Sequence, residues 1–174
     1  MFTLVILVMA QPERFTFFWQ NHFSQWAHSP FQVAGIPFTH AEQFMMHAKA
    51  VLFGDSDSAS KILLASDPAE MKRLGRGVSG FDPNRWEMFR EGVVLTGSFA
   101  KYTQNPALLE ALLATRGTTM VEASPYDKVW GIGLAEDDPR ALDRSQWRGL
   151  NLLGRILTRV REALAFEVAG SRHP

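Results

Sequence analysis

Residue pairs that start helices divide this chain into short segments, and they limit its fold more than any other feature. Three such pairs occur, at Asp67-Pro68, Asp82-Pro83 and Asn105-Pro106. Proline fits the first turn of a helix but not its interior, and an Asp or Asn side chain can satisfy the free amide groups there. Each pair therefore predicts a helix start. The three helices are expected to end near Gly75, Ala100 and Arg116.

Two further helices are predicted from residue spacing. One is expected to run from Thr39 to about Phe53, with Thr39 as its cap and Glu42 as the partner residue of a capping box. The other is a C-terminal helix with an apolar stripe at helical spacing, formed by Trp147, Leu150, Leu153, Leu157, Val160 and Leu164. Short strands are expected at 15–19, 31–36 and 118–122. The sequence thus predicts a mainly α fold in a single compact domain with a small β element.

The composition limits the classes of function. The chain has 174 residues, and its 18 Lys and Arg balance its 18 Asp and Glu. A zero net charge argues against a general nucleic-acid coat or an electrostatic membrane binder. The sequence contains no cysteine, which excludes disulfides, thiolate zinc sites and a cysteine nucleophile.

The two ends differ in composition from the middle. Residues 1–10 form an apolar run that is too short to span a bilayer and lacks the basic start of a signal peptide. This run is either a short buried strand or an extension before an initiator at Met9, and the sequence leaves both open. The domain is expected at 11–168 and a frayed tail at 169–174. The protein is expected to be cytoplasmic, with no membrane partner.

Two familiar motif types fail on their context. The segment Gly75–Gly80 matches the glycine pattern of dinucleotide-binding folds, but a helix is predicted before it where a buried strand is needed. We interpret it as a turn rich in left-handed residues. No two of the five histidines lie four residues apart, so a catalytic metal is not expected. No other cofactor is expected either.

Three stretches carry more functional residue types than folding needs: 18–26, 39–49 and 121–133. In the second, Glu42 and Lys49 lie within about 20° on one helix side, roughly 10 Å apart along the axis. They form either a capping acid with a solvated lysine or a cleft wall that presents an acid and an amine. In the third, Asp127 precedes Trp130, which is followed by Gly131-Ile132-Gly133. This loop suits either a ligand site or a satisfied Asp beside a core indole.

Taken together, these landmarks resemble the NADAR (YbiA-like) family over about 17–163. They occur in family order, as Phe18 to Trp26, Ala41 to Met46 with Lys49, Leu52 to Asp55, Leu74 to Arg76, Trp86, Phe99, Leu112 to Thr115, Val121 to Ser124 with Asp127, Trp130 to Gly133, and Asn151 to Gly154. His40 departs from the family, which often has Cys or Ser before the Ala-Glu-Gln motif. The resemblance implies a compact, mainly α fold that acts on N-ribosides.

The resemblance also implies activities and partners. Family members cleave phosphoribosylamino-pyrimidine intermediates of riboflavin synthesis, and others remove ADP-ribose from guanine in nucleic acid. The partner is then a small phosphorylated N-riboside or an ADP-ribosylated nucleotide, and nucleic acid enters only in the second activity. For that activity, a basic lip of Lys72, Arg73 and Arg76 is available. A non-catalytic module that binds ADP-ribose or a nucleotide is a third hypothesis.

Roles carried over by position identify candidate site residues. The catalytic candidates are Glu42, Asp127 and Lys49, and the substrate-binding candidates are Trp86, Trp130, Arg76, Trp19, Ser24 and Gly131. Glu42 would stabilise the oxocarbenium-like centre or orient water, and Asp127 would act as a supporting acid or hold a ribose hydroxyl. Lys49 would either hold an anion or attack an opened ribose as a Schiff-base amine.

Overall fold

A computed structural model describes residues 13–170. In chain order its main elements are β1 (Phe15–Phe18), β2 (His28–Val33), β3 (Ile36–His40), α1 (Ala41–Leu52), α2 (Ser56–Leu64), α3 (Pro68–Arg76), α4 (Pro83–Thr103), α5 (Pro106–Ala114), β4 (Thr119–Glu122) and α6 (Leu152–Gly170). Two short 3-10 helices, Pro139–Leu142 and Arg144–Gln146, precede α6. The prediction of a mainly α fold with a small β element is confirmed. The apolar run at 1–10 and the end of the predicted tail lie outside the described residues.

The three proline pairs start helices as predicted. The Asp67 carboxylate accepts a hydrogen bond from the amide of Ala69, and that of Asp82 accepts two at the start of α4. Asn105 makes no such cap; its amide nitrogen donates to the carbonyls of Pro30 and Lys101 instead. The predicted ends of these helices are within three residues of those observed.

Several local predictions are wrong. His40, not Thr39, is the N-cap of α1, and the Gln43 side chain accepts the hydrogen bond from the Thr39 amide, at 2.8 Å. Glu42 is therefore not the acid of a capping box. Helix α2 was not predicted because Asp55 caps it without a following proline.

The start of the C-terminal helix was also predicted too early. Trp147 lies outside α6 and packs against Phe15, with ring centroids 5.4 Å apart. Asn151, at φ 52°, separates the two segments, and the preceding backbone bonds to the loop at 128–131. The apolar residues at helical spacing therefore extend from Trp147 into α6, although the helix itself is interrupted at Asn151.

The strands form two separate pairs. β1 and β4 are parallel, with Phe18 opposite Glu122, while β2 and β3 form an antiparallel hairpin that turns at Ala34 and Gly35. β4 also packs against α6. This arrangement brings the residues after β1 and those after β4 to the same end of a strand pair.

Two glycines let α1 lie close to its neighbours. A Cβ at Gly97 on α4 would approach the Phe44 ring to 2.5 Å, and a Cβ at Gly75 on α3 would collide with the Met46 side chain. Gly75 thus has a packing role inside a helix. Within 75–80 only Gly80 has a positive φ, of 66°, so the prediction of a turn rich in left-handed residues is wrong for the rest.

Among residues 13–170, no helix combines the length and apolar character that crossing a membrane requires.

Candidate active site

A cleft of about 1110 Å³ opens where the segment after β1, the start of α1 and the loop after β4 meet the ends of α3 and α4. Eight of the nine predicted site residues line it: Glu42, Lys49, Asp127, Trp86, Trp130, Arg76, Trp19 and Ser24. The sequence therefore predicted most of the wall, although its residues come from five parts of the chain.

Glu42 is the most deeply buried acid of the cleft, with 3% of its surface exposed. Its amide donates to the carbonyl of Gln25, which attaches the first turn of α1 to the neighbouring loop. Oε1 of its side chain has no hydrogen-bond partner among the described residues. Burial raises the pKa of Glu42 to about 7, and Lys72 and a hydrogen bond from Trp26 offset part of that rise. A carboxyl with this pKa can donate or accept a proton at neutral pH.

Lys49 lies about two helical turns after Glu42 on α1. Its side chain is 8% exposed, so the interpretation as a solvated lysine is wrong. Its Nζ donates to the carbonyl of Gly75 at 2.7 Å and lies 4.0 Å from the centroid of the Phe81 ring. Burial lowers the pKa of Lys49, and the nearby Arg76 lowers it further. No described carboxylate forms an ion pair with this amine, which keeps it available to a ligand.

Asp127 organises the loop after β4. Its Oδ1 accepts hydrogen bonds from the amides of Val129 and Trp130, both at 2.8 Å, and its own amide donates to Oγ of Ser124. These bonds hold the Trp130 indole in the cleft wall.

Gly131 is the one predicted site residue that does not line the cleft. A Cβ there would lie 2.8 Å from the carbonyl oxygen of Glu122 and 3.0 Å from that of Asp127. Its role is to let two backbone segments pass each other closely.

Tyr126, Arg90 and Lys72 complete the wall, and of these three only Lys72 was expected to meet a ligand, as a member of the predicted basic lip. Tyr126 is 85% exposed and its ring lies 5.9 Å from that of Trp19, while Lys72 lies 5.6 Å from the ring of Trp26. Lys72 and Arg90 line the cleft alongside Arg76. Arg73, the third member of the predicted basic lip, pairs with Glu70 and does not line the cleft.

Glu122, the last residue of β4, is the acid that sequence reasoning left without a role. It lines the cleft, and its Oε2 is buried with no hydrogen-bond partner in the described part of the chain. Burial raises its pKa to about 8, and the nearby Asp127 and Glu42 add to that rise. One sequence feature could have identified Glu122 as a site residue, namely its position as an acid at the end of the short apolar strand Thr119–Glu122.

The described residues contain no group of three or more His, Asp or Glu side chains able to hold a metal ion. The cleft instead combines acids with buried oxygens, flat rings and three cations that form no ion pair among the described residues, Lys49, Lys72 and Arg76. Such a set suits a ligand that carries an anionic group and a planar base next to a bond that an acid can break.

Comparison with known families agrees with this description. The NADAR domain matches residues 17–165 of the chain. The chain therefore belongs to the NADAR family.

Three relatives show what this family includes. N-glycosidase R617 of Acanthamoeba polyphaga mimivirus is 44% identical over 122 residues, which are 70% of this chain and 72% of that protein. The Zea mays protein named riboflavin biosynthesis protein PYRR, chloroplastic, is 33% identical over 119 residues, 66% of this chain and 17% of that protein. N-glycosidase YbiA of Escherichia coli is 31% identical over 145 residues, 83% of this chain and 82% of that protein. The NMR structure of YbiA aligns with 97% of this chain and 94% of its own at a TM-score of 0.75 and 26% identity.

Proposed function

We propose that this protein is an N-glycosidase that hydrolyses the ribose C1–N bond of phosphoribosylamino-pyrimidine intermediates of riboflavin biosynthesis, in the cytoplasm. The observation that carries this proposal is the Glu42 carboxyl, which is buried in the cleft with one oxygen free. The names of the relatives support it, since two are N-glycosidases and one is a riboflavin biosynthesis protein.

Glu42 has the properties that this cleavage needs. Breaking an N-glycosidic bond builds positive charge on C1 of the ribose and negative charge on the departing base. A carboxylate beside C1 stabilises that positive charge or takes a proton from the attacking water. Because the pKa of Glu42 is about 7, its carboxylate and its acid form are both populated at neutral pH.

The cations and rings of the cleft suit the two ends of this substrate. Arg76 and Lys72 would hold the 5-phosphate, and the indoles of Trp86 and Trp130 would contact the pyrimidine ring. Lys49 has two roles that fit its buried position. It would bind an anionic group as a cation, or, favoured by its lowered pKa, attack an opened ribose as an amine nucleophile.

Asp127 would act by positioning. With Oδ1 occupied by two backbone amides, its remaining oxygen would accept a hydrogen bond from a ribose hydroxyl while the loop holds Trp130 in place. This role combines the supporting function expected from the sequence with the hydrogen bonds of the loop.

The test is release of ribose 5-phosphate from 5-amino-6-(5-phosphoribosylamino)uracil by the purified protein without added metal. Glu42→Ala is expected to lower kcat/KM by about 10²–10⁴-fold, because it removes the carboxyl at the reacting centre. Glu110→Ala, a substitution of an exposed acid on α5, is the matched control and should leave the rate unchanged. Equal turnover by the wild type and Glu42→Ala would contradict the role of Glu42.

The cations of the cleft favour a second candidate, an ADP-ribosyl glycohydrolase that acts on guanine in nucleic acid. Two members of the predicted basic lip, Lys72 and Arg76, line the cleft, where they would contact the phosphates of such a substrate. Turnover of ADP-ribosylated guanosine without turnover of the pyrimidine substrate would favour this candidate. Tight calorimetric binding of ADP-ribose without turnover of either would indicate a non-catalytic binding module.

A further inference from the structure

Two carboxyl groups from different parts of the fold face the same cleft, one on the buried Glu42 and one on the partly buried Glu122. Glu42 belongs to the first turn of α1, and Glu122 ends β4. Each has one side-chain oxygen that is shielded from solvent and has no hydrogen-bond partner among residues 13–170. A buried carboxyl without a partner is unfavourable for folding, so its retention needs a reason outside folding.

The surrounding charges do not neutralise both acids. Glu122 faces the acids Asp127 and Glu42 and one cation, Lys72, while Glu42 also faces Arg76 and the Trp26 indole. In the described part of the chain, neither glutamate takes part in an ion pair. Two ionised carboxylates buried near each other repel, and burial penalises each further, so such a pair keeps one proton at neutral pH.

We propose that Glu42 and Glu122 form an acid–base pair that holds one proton, with Glu122 as the general acid and Glu42 as the base. This proposal rests on the proposed N-glycosidase function and adds a second catalytic residue to it. In the step, water attacks C1 and the C1–N bond breaks. The Glu122 carboxyl gives its proton to the leaving nitrogen, and the Glu42 carboxylate takes one from the water. The pair ends with its single proton on the other glutamate, and a return of that proton restores it.

The backbone around Glu122 supports its role as the acid. The Glu122 amide donates to Oδ1 of Asn151 at 3.0 Å, and its carbonyl accepts from the amide of Ile132 at 2.9 Å. Both bonds involve the Glu122 backbone, so substitution of its side chain leaves them intact. The neighbouring charges favour the proton on Glu122, because Glu122 faces two acids and one cation, whereas Glu42 faces one acid, two cations and a hydrogen bond from the Trp26 indole.

Leaving-group dependence separates the two roles. A substrate such as 4-nitrophenyl ribofuranoside 5-phosphate loses a stable phenolate and needs no acid. We expect Glu122→Gln to lower kcat/KM at least about 100-fold on the phosphoribosylamino-pyrimidine but less than about fivefold on the nitrophenyl substrate. Glu42→Gln should lower both. Equal losses by Glu122→Gln on both substrates, or no loss on either, would overturn the assignment of the acid.

A titration that needs no substrate tests the pair itself. In protein labelled with ¹³C at the glutamate carboxyl carbon, we expect Glu42→Gln to lower the apparent pKa of Glu122 by about one unit, because the Glu42 carboxylate is then absent when Glu122 loses its proton. Glu110→Gln should leave it unchanged, and a thermal melt of each variant verifies folding. An unchanged Glu122 titration in folded Glu42→Gln would overturn the pair, whatever substrate the protein turns over. Failure of the proposed function would instead appear as no ribose release by the wild type alongside an intact coupled titration.

Discussion

Two regions of this molecule bury charge in opposite ways. On α6, Arg161 is 2% exposed, and all three guanidinium nitrogens donate hydrogen bonds. Nη1 and Nη2 reach the carbonyls of Thr115 and Thr118 at 2.7 Å, and Nε reaches Glu162. In the cleft, Glu42 is buried almost as deeply but leaves Oε1 without a partner.

The difference separates charges that maintain the fold from charges that await a ligand. Four buried side-chain atoms of the described residues lack a hydrogen-bond partner, and three belong to residues that line the cleft, Glu42, Glu122 and Arg90. The fourth is the Tyr102 hydroxyl in the core. Unsatisfied polar groups are unfavourable for stability, and such groups are often found at functional sites.

The largest effect on stability is expected from substitution of Arg161, whose buried guanidinium has hydrogen-bond partners for all three nitrogens. Arg161→Met removes the donors for the Thr115 and Thr118 carbonyls, which lie in the turn that leads into β4. We expect the free energy of unfolding to fall by about 3 kcal/mol, because a buried carbonyl left without its donor costs about 1–3 kcal/mol. Urea denaturation at neutral pH measures it. A loss below about 1 kcal/mol would show that this network does not maintain the fold, and the contrast with the cleft would fail.

Glu42→Gln should act in the opposite direction and stabilise the protein as the pH rises. The pKa of Glu42 is about 7 in the folded state against an ordinary value of 4.5. The folded state therefore holds the proton more tightly, and the wild type loses stability as the pH rises from 4.5 through 7. Because glutamine does not titrate, the advantage of the variant should grow over that window to on the order of 2–3 kcal/mol at pH 8.

Thermal melts of wild type, Glu42→Gln and Glu110→Gln at pH 5 and pH 8 measure this effect. A gain of this size raises Tm by roughly 2–4 °C per kcal/mol in a protein of this length. The same difference at both pH values would contradict the raised pKa of Glu42. A lower stability of Glu42→Gln than of the wild type at pH 8 would mean that the Glu42 carboxylate, like the Arg161 guanidinium, stabilises the fold.

The smallest effect is expected from Glu162→Ala. The ion pair between Glu162 and Arg161 is one-sided, because the Glu162 side chain is 60% exposed while Arg161 is buried. Solvent screens such a pair, so the stability should change by less than about 0.5 kcal/mol. Urea denaturation of Glu162→Ala and Arg161→Met under the same conditions compares their free energies of unfolding. A loss comparable to that of Arg161→Met would mean that the carboxylate, and not the two carbonyls, satisfies the guanidinium.

Much of the fold was predictable because its signals are local. The Asp-Pro and Asn-Pro pairs start helices through capping and ring geometry, which depend only on neighbouring residues, so α3, α4 and α5 were placed correctly. The start of α6 was not, since the apolar spacing around Trp147 reflects burial without revealing the break at Asn151. Helix α2 was missed because its cap lacks the proline that marks the others.

The motifs predicted most residues of the candidate site, but they did not predict its electrostatics. Glu42 and Lys49 were expected on one side of a helix, and both line the cleft. Gly131 proved to be a packing residue, and Glu122 was given no role although it ends a predicted strand. Residue type and spacing identify which side chains can do chemistry, but not which of them lose contact with water.

The sequence by itself determined the starts of α3, α4 and α5, the mainly α class, the family and most of the residues around the cleft. Only the tertiary structure decided that Glu42 and Glu122 share one buried environment, and that Arg161 is satisfied where they are not. The physical reason is that local backbone preferences depend on adjacent residues. Desolvation and hydrogen bonding instead depend on groups that folding brings together from distant parts of the chain.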